Sequence, residues 1–212
     1  MPVVHLVRHG QASFGADDYD VLSDLGRSQS QAVGAELTRR GLRSAVAVCG
    51  TLRRQRDTAT LALPGSQARV DGRWDEYDHL ELLKRYTAPD STRDTCSPGM
   101  QPLLDAALAG WVADGDDGGW PAFSQGAAHA LASVAGELEK GQDAVVFTSG
   151  GVIAAVCADL LGLGADGVVA LNRVTVNAAI TKIVVGSSGT SLVSFNDHAH
   201  FEGSARHLLS YR

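Results

Sequence analysis

Only three cysteines occur in 212 residues, Cys49, Cys96 and Cys157, odd in number and far apart. That excludes a small scaffold held together by disulfides. Cys49 and Cys157 sit within apolar runs and read as buried, reduced thiols. Long apolar runs are also missing: none approaches the ~20 residues of a membrane span. The opening stretch MPVVHLVRHG has no basic leader, and its apolar segment is too short for a signal peptide. The expectation is a soluble, cytoplasmic protein with no membrane partner. Cations are outnumbered, 18 Lys and Arg against 24 Asp and Glu, for a net charge of −6. A nucleic-acid partner would need a broad positive footprint, so none is expected. There is no low-complexity tract and no internal repeat, and an apolar fraction of 44% is that of a globular chain. The acidic GDDGGW segment lacks the ligand spacing of a calcium loop and reads as a mobile surface loop. Neither metal nor cofactor is expected, and the sequence sets no oligomeric state.

The segments that are present alternate between two periods. PVVHLV (2–7) and SAVAVCG (44–50) read as buried strands, and GQDAVVFTSGG (141–151) as a turn, a strand and a turn. SDLGRSQSQAVGAELTRRG (23–41) reads as a helix with Ser23 as its N-cap and Gly41 as its stop. TLRRQRDTATLAL (51–63) and VIAAVCADLLG (152–162) read as further helices, and residues 178–186 and 190–197 as a hairpin around SSG. Strands alternating with helices imply an α/β, three-layer αβα sandwich with a mainly parallel central sheet. The hairpin puts one antiparallel strand at or near the edge. Residues 77–120 break the rhythm and read as a partly helical insertion over the sheet, within a single domain spanning 1–212.

In open α/β sheets, ligands gather beyond the carboxyl ends of the strands. There, the first strand ends at Arg8-His9. The second leads through Gly50-Thr51 to Arg53-Arg54, and the third ends at Thr148-Ser149-Gly150-Gly151. If these strands are neighbours, two cations, an imidazole and a hydroxyl converge beside the N-terminus of a helix, which suits a phosphate group. His9 is the candidate nucleophile, because a neutral imidazole nitrogen can attack phosphorus and form a covalent intermediate.

These residues resemble the histidine phosphatase superfamily, in its phosphoglycerate mutase-like branch. LVRHGQAS resembles the family signature, and LSDLGRSQSQAVGAEL the helix that follows it. GTLRRQRDTA resembles a Leu-x-Arg-Ala-x-x-Thr-Ala segment, RWDEYDH the acid segment, VVFTSGGVIAAV a Ser-His-Gly-Gly segment and VSFNDHAHFE an Asn-x-x-His-Leu pattern. The resemblance implies a phosphoglycerate mutase-like fold in which His9 accepts the phosphoryl group and Arg8 and Arg54 bind it. It also implies that Glu76 is the general acid, with Asp75 and Asp78 as rivals for that role. Ser149 takes the position of the family's second histidine, with the Gly150 backbone and Ser13 as further phosphate contacts. In the Arg53–Arg56 run, Arg54 is expected to face the pocket and Arg53 and Arg56 the solvent.

Two departures matter. Ser149 brings no positive charge, and His198 or His200 could supply the missing imidazole. A histidine restored at position 149 is expected to speed hydrolysis if its ring has room. Phe14-Gly15 stands where the mutases of the family carry Trp-Asn. The expected function is therefore a metal-independent phosphatase of small phosphomonoesters acting through phosphohistidine. A phosphoglycerate mutase and a non-catalytic phosphate-binding module are the alternatives.

Overall fold

The β-branched run VVHLVR forms β1 (Val3–Arg8), whose inner residues Val4 to Val7 are all buried. The molecule is seen in a computed structural model that describes residues 1–13, 20–42, 46–87, 100–187 and 189–211. Phe14, Gly15 and Cys96 lie outside the described residues. Five more strands follow: β2 (Val46–Cys49), β3 (Arg69–Val70), β4 (Asp143–Thr148), β5 (Ile180–Gly186) and β6 (Gly189–Asp197). They form one sheet in the order β3-β2-β4-β1-β5-β6. β2, β3, β4 and β1 run parallel, while β5 runs antiparallel to both of its neighbours. The reversed strand is thus next to the edge, as the hairpin pattern implies.

Alternate residues of the two central strands feed opposite faces. Val4, Leu6, Ala144 and Val146 pack against α5 (Trp120–Glu137) and α6 (Gly150–Leu161). Val7, Val145 and Phe147 pack against α1 (Asp24–Arg39) and α2 (Arg53–Ala62). The result is three layers. Phe147 is fully buried, and removing such a ring from water contributes about 1.5–3 kcal/mol. A third apolar cluster joins the outer side of α6 to α3 (His79–Tyr86), α4 (Met100–Asp114) and α7 (Ala165–Val174). Two helices therefore fall within the 77–120 stretch, and the acidic turn between α4 and α5 carries ion pairs from Arg85 to Asp114 and Asp116.

Helix ends obey local chemistry. Ser23 caps α1 by accepting the Gly26 N–H at 3.0 Å, and Gly41 follows the helix with φ 64°. Cys49 and Cys157 are buried free thiols, and burial pushes the Cys157 thiol up to about 12, which keeps it protonated. Among the described residues no helix is long and apolar enough to cross a membrane.

Candidate active site

Because β1, β4 and β2 are adjacent, their carboxyl ends bring His9, Ser149 and Gly50 to one edge. The His9 N–H donates to the Thr148 carbonyl at 2.8 Å, continuing the β1–β4 ladder past its last pair. The chain then passes tightly under α1. A Cβ on Gly10 would run into the carbonyl of Gly26, and one on Gly26 into the carbonyl of Gln11. The Gly10 N–H goes to Thr58 Oγ1 at 3.0 Å, and Asn177 Nδ2 donates to the His9 carbonyl at 3.2 Å. His9 is thus fixed by backbone bonds from both sides, and the close pass of Gly10 under Gly26 requires that neither residue carry a Cβ.

The His9 ring is buried, with Nδ1 2.7 Å from the Gly10 carbonyl and Nε2 accepting from Arg54 Nε at 3.1 Å. A carbonyl can only accept and a guanidinium can only donate. Both contacts therefore require the same tautomer, with the proton on Nδ1 and the lone pair on Nε2. Desolvation, then the charges of Arg54 and Arg8, hold the imidazole well below its ordinary pKa. The ring is neutral near pH 7, as a nucleophile must be.

Arg54 lies on the first turn of α2 and is buried, while Arg53 and Arg56 are exposed, the division expected from the sequence. Its Nη1 is paired with Asp20 at 2.7 Å. Arg8 Nη1 donates to the carbonyls of Thr175, just after α7, and of Tyr211, near the end of the chain. Gly150, at the N-terminus of α6, is so close that a Cβ there would lie 3.5 Å from Arg8 Nε. The helix's first N–H groups have no intrahelical acceptor. Ser13 follows on the same loop as His9. Its backbone N–H donates to Val21 at 2.7 Å, and among the described residues no hydrogen bond joins its side chain to His9, Arg8 or Arg54.

The three acidic candidates separate cleanly. Asp75 accepts from both the N–H and the hydroxyl of Thr51, at 2.6 Å each. Asp78 caps α3 by accepting the N–H groups of Leu80 and Glu81. Glu76 alone turns to the α6 N-terminus, where its Oε2 accepts the Gly151 N–H at 3.0 Å. Burial raises its pKa, against the opposing bonds from Gly151 and Tyr77 and the charges of Arg54 and Arg8. The neighbouring Tyr77 ring packs at an angle against Trp111 and Phe123, with ring centroids 5.3–5.8 Å apart.

Ser149 is fully buried, and its hydroxyl accepts from Gln55 Nε2 at 2.8 Å. Gln55 is also fully buried and reaches the Trp74 carbonyl at 2.9 Å. Sequence reasoning did not single it out, although a signal was present: the resembled segment reads Leu-x-Arg-Ala, and Gln55 stands at the alanine. Gln55 and Ser149, both departures from the resembled segments, are in contact. Gln with Ser holds about as many side-chain heavy atoms as Ala with His, so one volume-conserving exchange accounts for both. The Gln55 carboxamide lies directly against the Ser149 hydroxyl, 2.8 Å away, so a longer side chain at position 149 would have to share that space.

Neither proposed substitute imidazole reaches His9. The Nδ1 of His198 is 2.6 Å from the Asn196 carbonyl. His200 lies against Phe201, and its charged neighbours are Glu36, Arg40 and Asp197. A histidine that the sequence analysis did not single out, His79 at the start of α3, is half-buried. Desolvation and the charge of Arg54 lower its pKa, while Asp78 opposes them.

The model of the histidine phosphatase superfamily (branch 1) matches residues 4–198. A mycobacterial glucosyl-3-phosphoglycerate phosphatase solved with VO3 is similar in structure, with TM-score 0.66 and 25% identity over 92% of this chain and 99% of that one. YhfR of Bacillus stearothermophilus gives 0.70 and 19% identity over 95% and 100%. A phosphoserine phosphatase mutant from Entamoeba histolytica in complex with phosphoserine gives 0.63 and 18% over 94% and 99%. No curated protein matches in sequence.

Proposed function

Because the chain belongs to the histidine phosphatase superfamily, branch 1, we propose that it hydrolyses small phosphomonoesters through a phosphohistidine on His9. The observation that carries this reading is the His9 tautomer, which leaves a neutral, unprotonated Nε2 facing Arg54. In the first step the Arg54 guanidinium releases Nε2 and moves to a phosphoryl oxygen. Nε2 then forms the N–P bond as the P–O bond to the alcohol breaks. Glu76, whose protonated form burial favours, gives its proton to the departing oxygen. In the second step the Glu76 carboxylate takes a proton from water, whose oxygen attacks phosphorus and frees His9 and inorganic phosphate.

Arg8, Arg54, the Gly150 N–H and the Ser149 hydroxyl hold the phosphoryl oxygens, and Ser13 is a further contact in the same reading. Arginine suits that role because it offers paired donors of fixed charge. The similar proteins include phosphatases named for a glucosyl-3-phosphoglycerate and for phosphoserine, which supports a small phosphorylated metabolite as substrate. The fold does not choose among them. Tyr77, next to Glu76, packs in one apolar cluster with Trp111 and side chains of α3 and α4, and that cluster is the part of this reading that would select the substrate.

The test is phosphate release from an aryl phosphate, with EDTA present, by the wild type and His9→Ala. Hydrolysis in the wild type that disappears in the variant supports the proposal, and hydrolysis that persists in His9→Ala sinks it. Ser149 favours a second reading, a phosphate-binding module without turnover. That reading expects vanadate to bind, and to be lost in Arg8→Ala, while a screen of phosphomonoesters gives only background hydrolysis.

A further inference from the structure

Gln55 sits in an arrangement that has no part in the steps above. The Trp74 carbonyl takes two donors, the Gln55 carboxamide at 2.9 Å and the Thr148 hydroxyl at 2.7 Å. A carbonyl only accepts, so the Gln55 atom facing it must be the nitrogen. The same nitrogen lies 2.8 Å from Ser149 Oγ, so the serine oxygen must accept there. The opposite orientation of the amide would set two carbonyl oxygens against each other. The observed one instead leaves Gln55 Oε1 buried without a hydrogen-bond partner among the described residues.

This leaves the Ser149 hydroxyl with one proton and nowhere else to send it. An N-cap serine ordinarily uses its oxygen to accept an N–H of the first helical turn. Ser149 makes no such bond to α6, and the Gly151 N–H is taken by Glu76 Oε2 instead. Among the described residues no hydrogen-bond acceptor is assigned to the hydroxyl proton. The side chain has been withdrawn from capping and turned into an oriented donor.

We propose that Gln55 is a positioning residue: locked by the Trp74 carbonyl, its carboxamide occupies the Ser149 oxygen and so aims the Ser149 proton at the phosphoryl group. The inference rests on the phosphatase reading above and extends it. Trp74 lies two residues before Glu76, so one carboxamide ties the segment bearing the general acid to the donor at the head of α6. A serine held this way is a stronger substitute for an imidazole than a freely rotating hydroxyl, because its orientation is set before substrate binds.

The test uses Ser149→Ala, Gln55→Glu and their double variant, with aryl phosphate turnover and vanadate binding as readouts. The ionised carboxylate that Gln55→Glu introduces can only accept, so it would draw the Ser149 proton away from the pocket. Ser149→Ala is expected to lower kcat about tenfold to a hundredfold with little change in KM. Gln55→Glu should do the same, and the double variant should fall no further than either single one. Vanadate Kd should follow the same non-additive pattern. Gln55→Met, similar in shape and without a donor, replaces Gln55→Glu if circular dichroism shows that the latter is unfolded, and should also lower kcat at constant KM. Ser149→Ala costing the same factor in both backgrounds would overturn the proposal, as would wild-type kcat in Gln55→Met. Failure of the parent reading shows separately, as turnover that survives His9→Ala, and the vanadate pattern still decides the role of Gln55.

Discussion

Restoring a histidine at position 149 tests the idea that Gln55 and Ser149 form one exchange. Ser149 and Gln55 are both fully buried and in contact, so Ser149→His alone forces about four extra heavy atoms into a filled space. Such overpacking costs about 1–3 kcal/mol. For a domain of this size, each kcal/mol lowers Tm by about 2–4 °C. Gln55→Ala alone removes two buried hydrogen bonds and opens a cavity, and should cost a similar amount. The double variant returns the volume to its original value. It should therefore be more stable than the sum of the single losses predicts, with a coupling of about 1–3 kcal/mol. Its imidazole would bring positive charge to the phosphoryl group, raising kcat about tenfold to a hundredfold over Gln55→Ala. Thermal unfolding and phosphate release measured on the four proteins decide it. If Ser149→His alone keeps the wild-type Tm and gains rate, the carboxamide does not fill the ring's space and the reasoning fails. If the double variant is no faster than Gln55→Ala, position 149 does not touch the phosphoryl group.

Three further outcomes follow from the same geometry. Glu76 has its pKa raised by burial, so the acid is present at low pH and is lost as pH rises through that pKa. kcat/KM should fall on the alkaline side, and Glu76→Gln should abolish that limb with a loss of about 10²–10⁴ in kcat. A limb unchanged in Glu76→Gln would assign it to another group. Gly10→Ala should cost most of the activity while the far side of the sheet stays folded, because its Cβ meets the Gly26 carbonyl; wild-type kinetics in that variant would refute the tight passage. Phe147→Ala, in the centre of the sheet, should lower stability by about 3–5 kcal/mol in denaturant titration, and a loss under about 1 kcal/mol would mean that the ring is not the packing centre it looks.

Strong local signals made the central elements legible. Ser23 before an acidic first turn and Gly41 after a basic last one delimit α1, and the uninterrupted apolar run of β4 marks a strand buried on both faces. The missed elements have weaker ones. β3 is only two residues long and exposed. The buried stripe of α5, Ala127, Ala130, Leu131 and Val134, has helical spacing but consists largely of alanines, so its apolar face stands out little. At the site, Arg8 and His9 were singled out from the end of the first strand, while Arg54 was chosen over Arg53 only through the resemblance of its segment. Gln55 was not recognised, since its importance comes from a contact with a residue 94 positions away. The distinction between Glu76 and its rivals Asp75 and Asp78 likewise depends on partners, Thr51, Gly151 and the start of α3, that no spacing announces.

The burial of Glu76 also bears on whether the site turns substrate over or only holds it. A module built solely to bind a phosphate dianion gains nothing from a carboxylate beside it, and an ionised one would repel the ligand. Glu76 nevertheless lies against the N-terminus of α6, where its Oε2 takes the Gly151 N–H that an anion could otherwise use. Gly151 must be glycine there, since a Cβ would collide with both Glu76 and Tyr77. The helix end has thus been shaped around the carboxyl group. Burial then favours its protonated form, the only state in which it tolerates a dianion and can give up a proton. Burial, with the charges of Arg54 and Arg8, favours the deprotonated Nε2 of His9. Two titratable groups driven in opposite directions, one toward holding a proton and the other toward lacking one, are what the proposed acid and nucleophile require. That pairing favours turnover over storage. It makes the rate of His9 phosphorylation, followed by rapid quench with a labelled phosphomonoester, the measurement most sensitive to Glu76. Loss of the Glu76 proton donor should slow appearance of the phosphoenzyme most for alkyl esters and least for aryl esters, whose leaving groups need little protonation. Equal slowing for both would remove Glu76 from the first step.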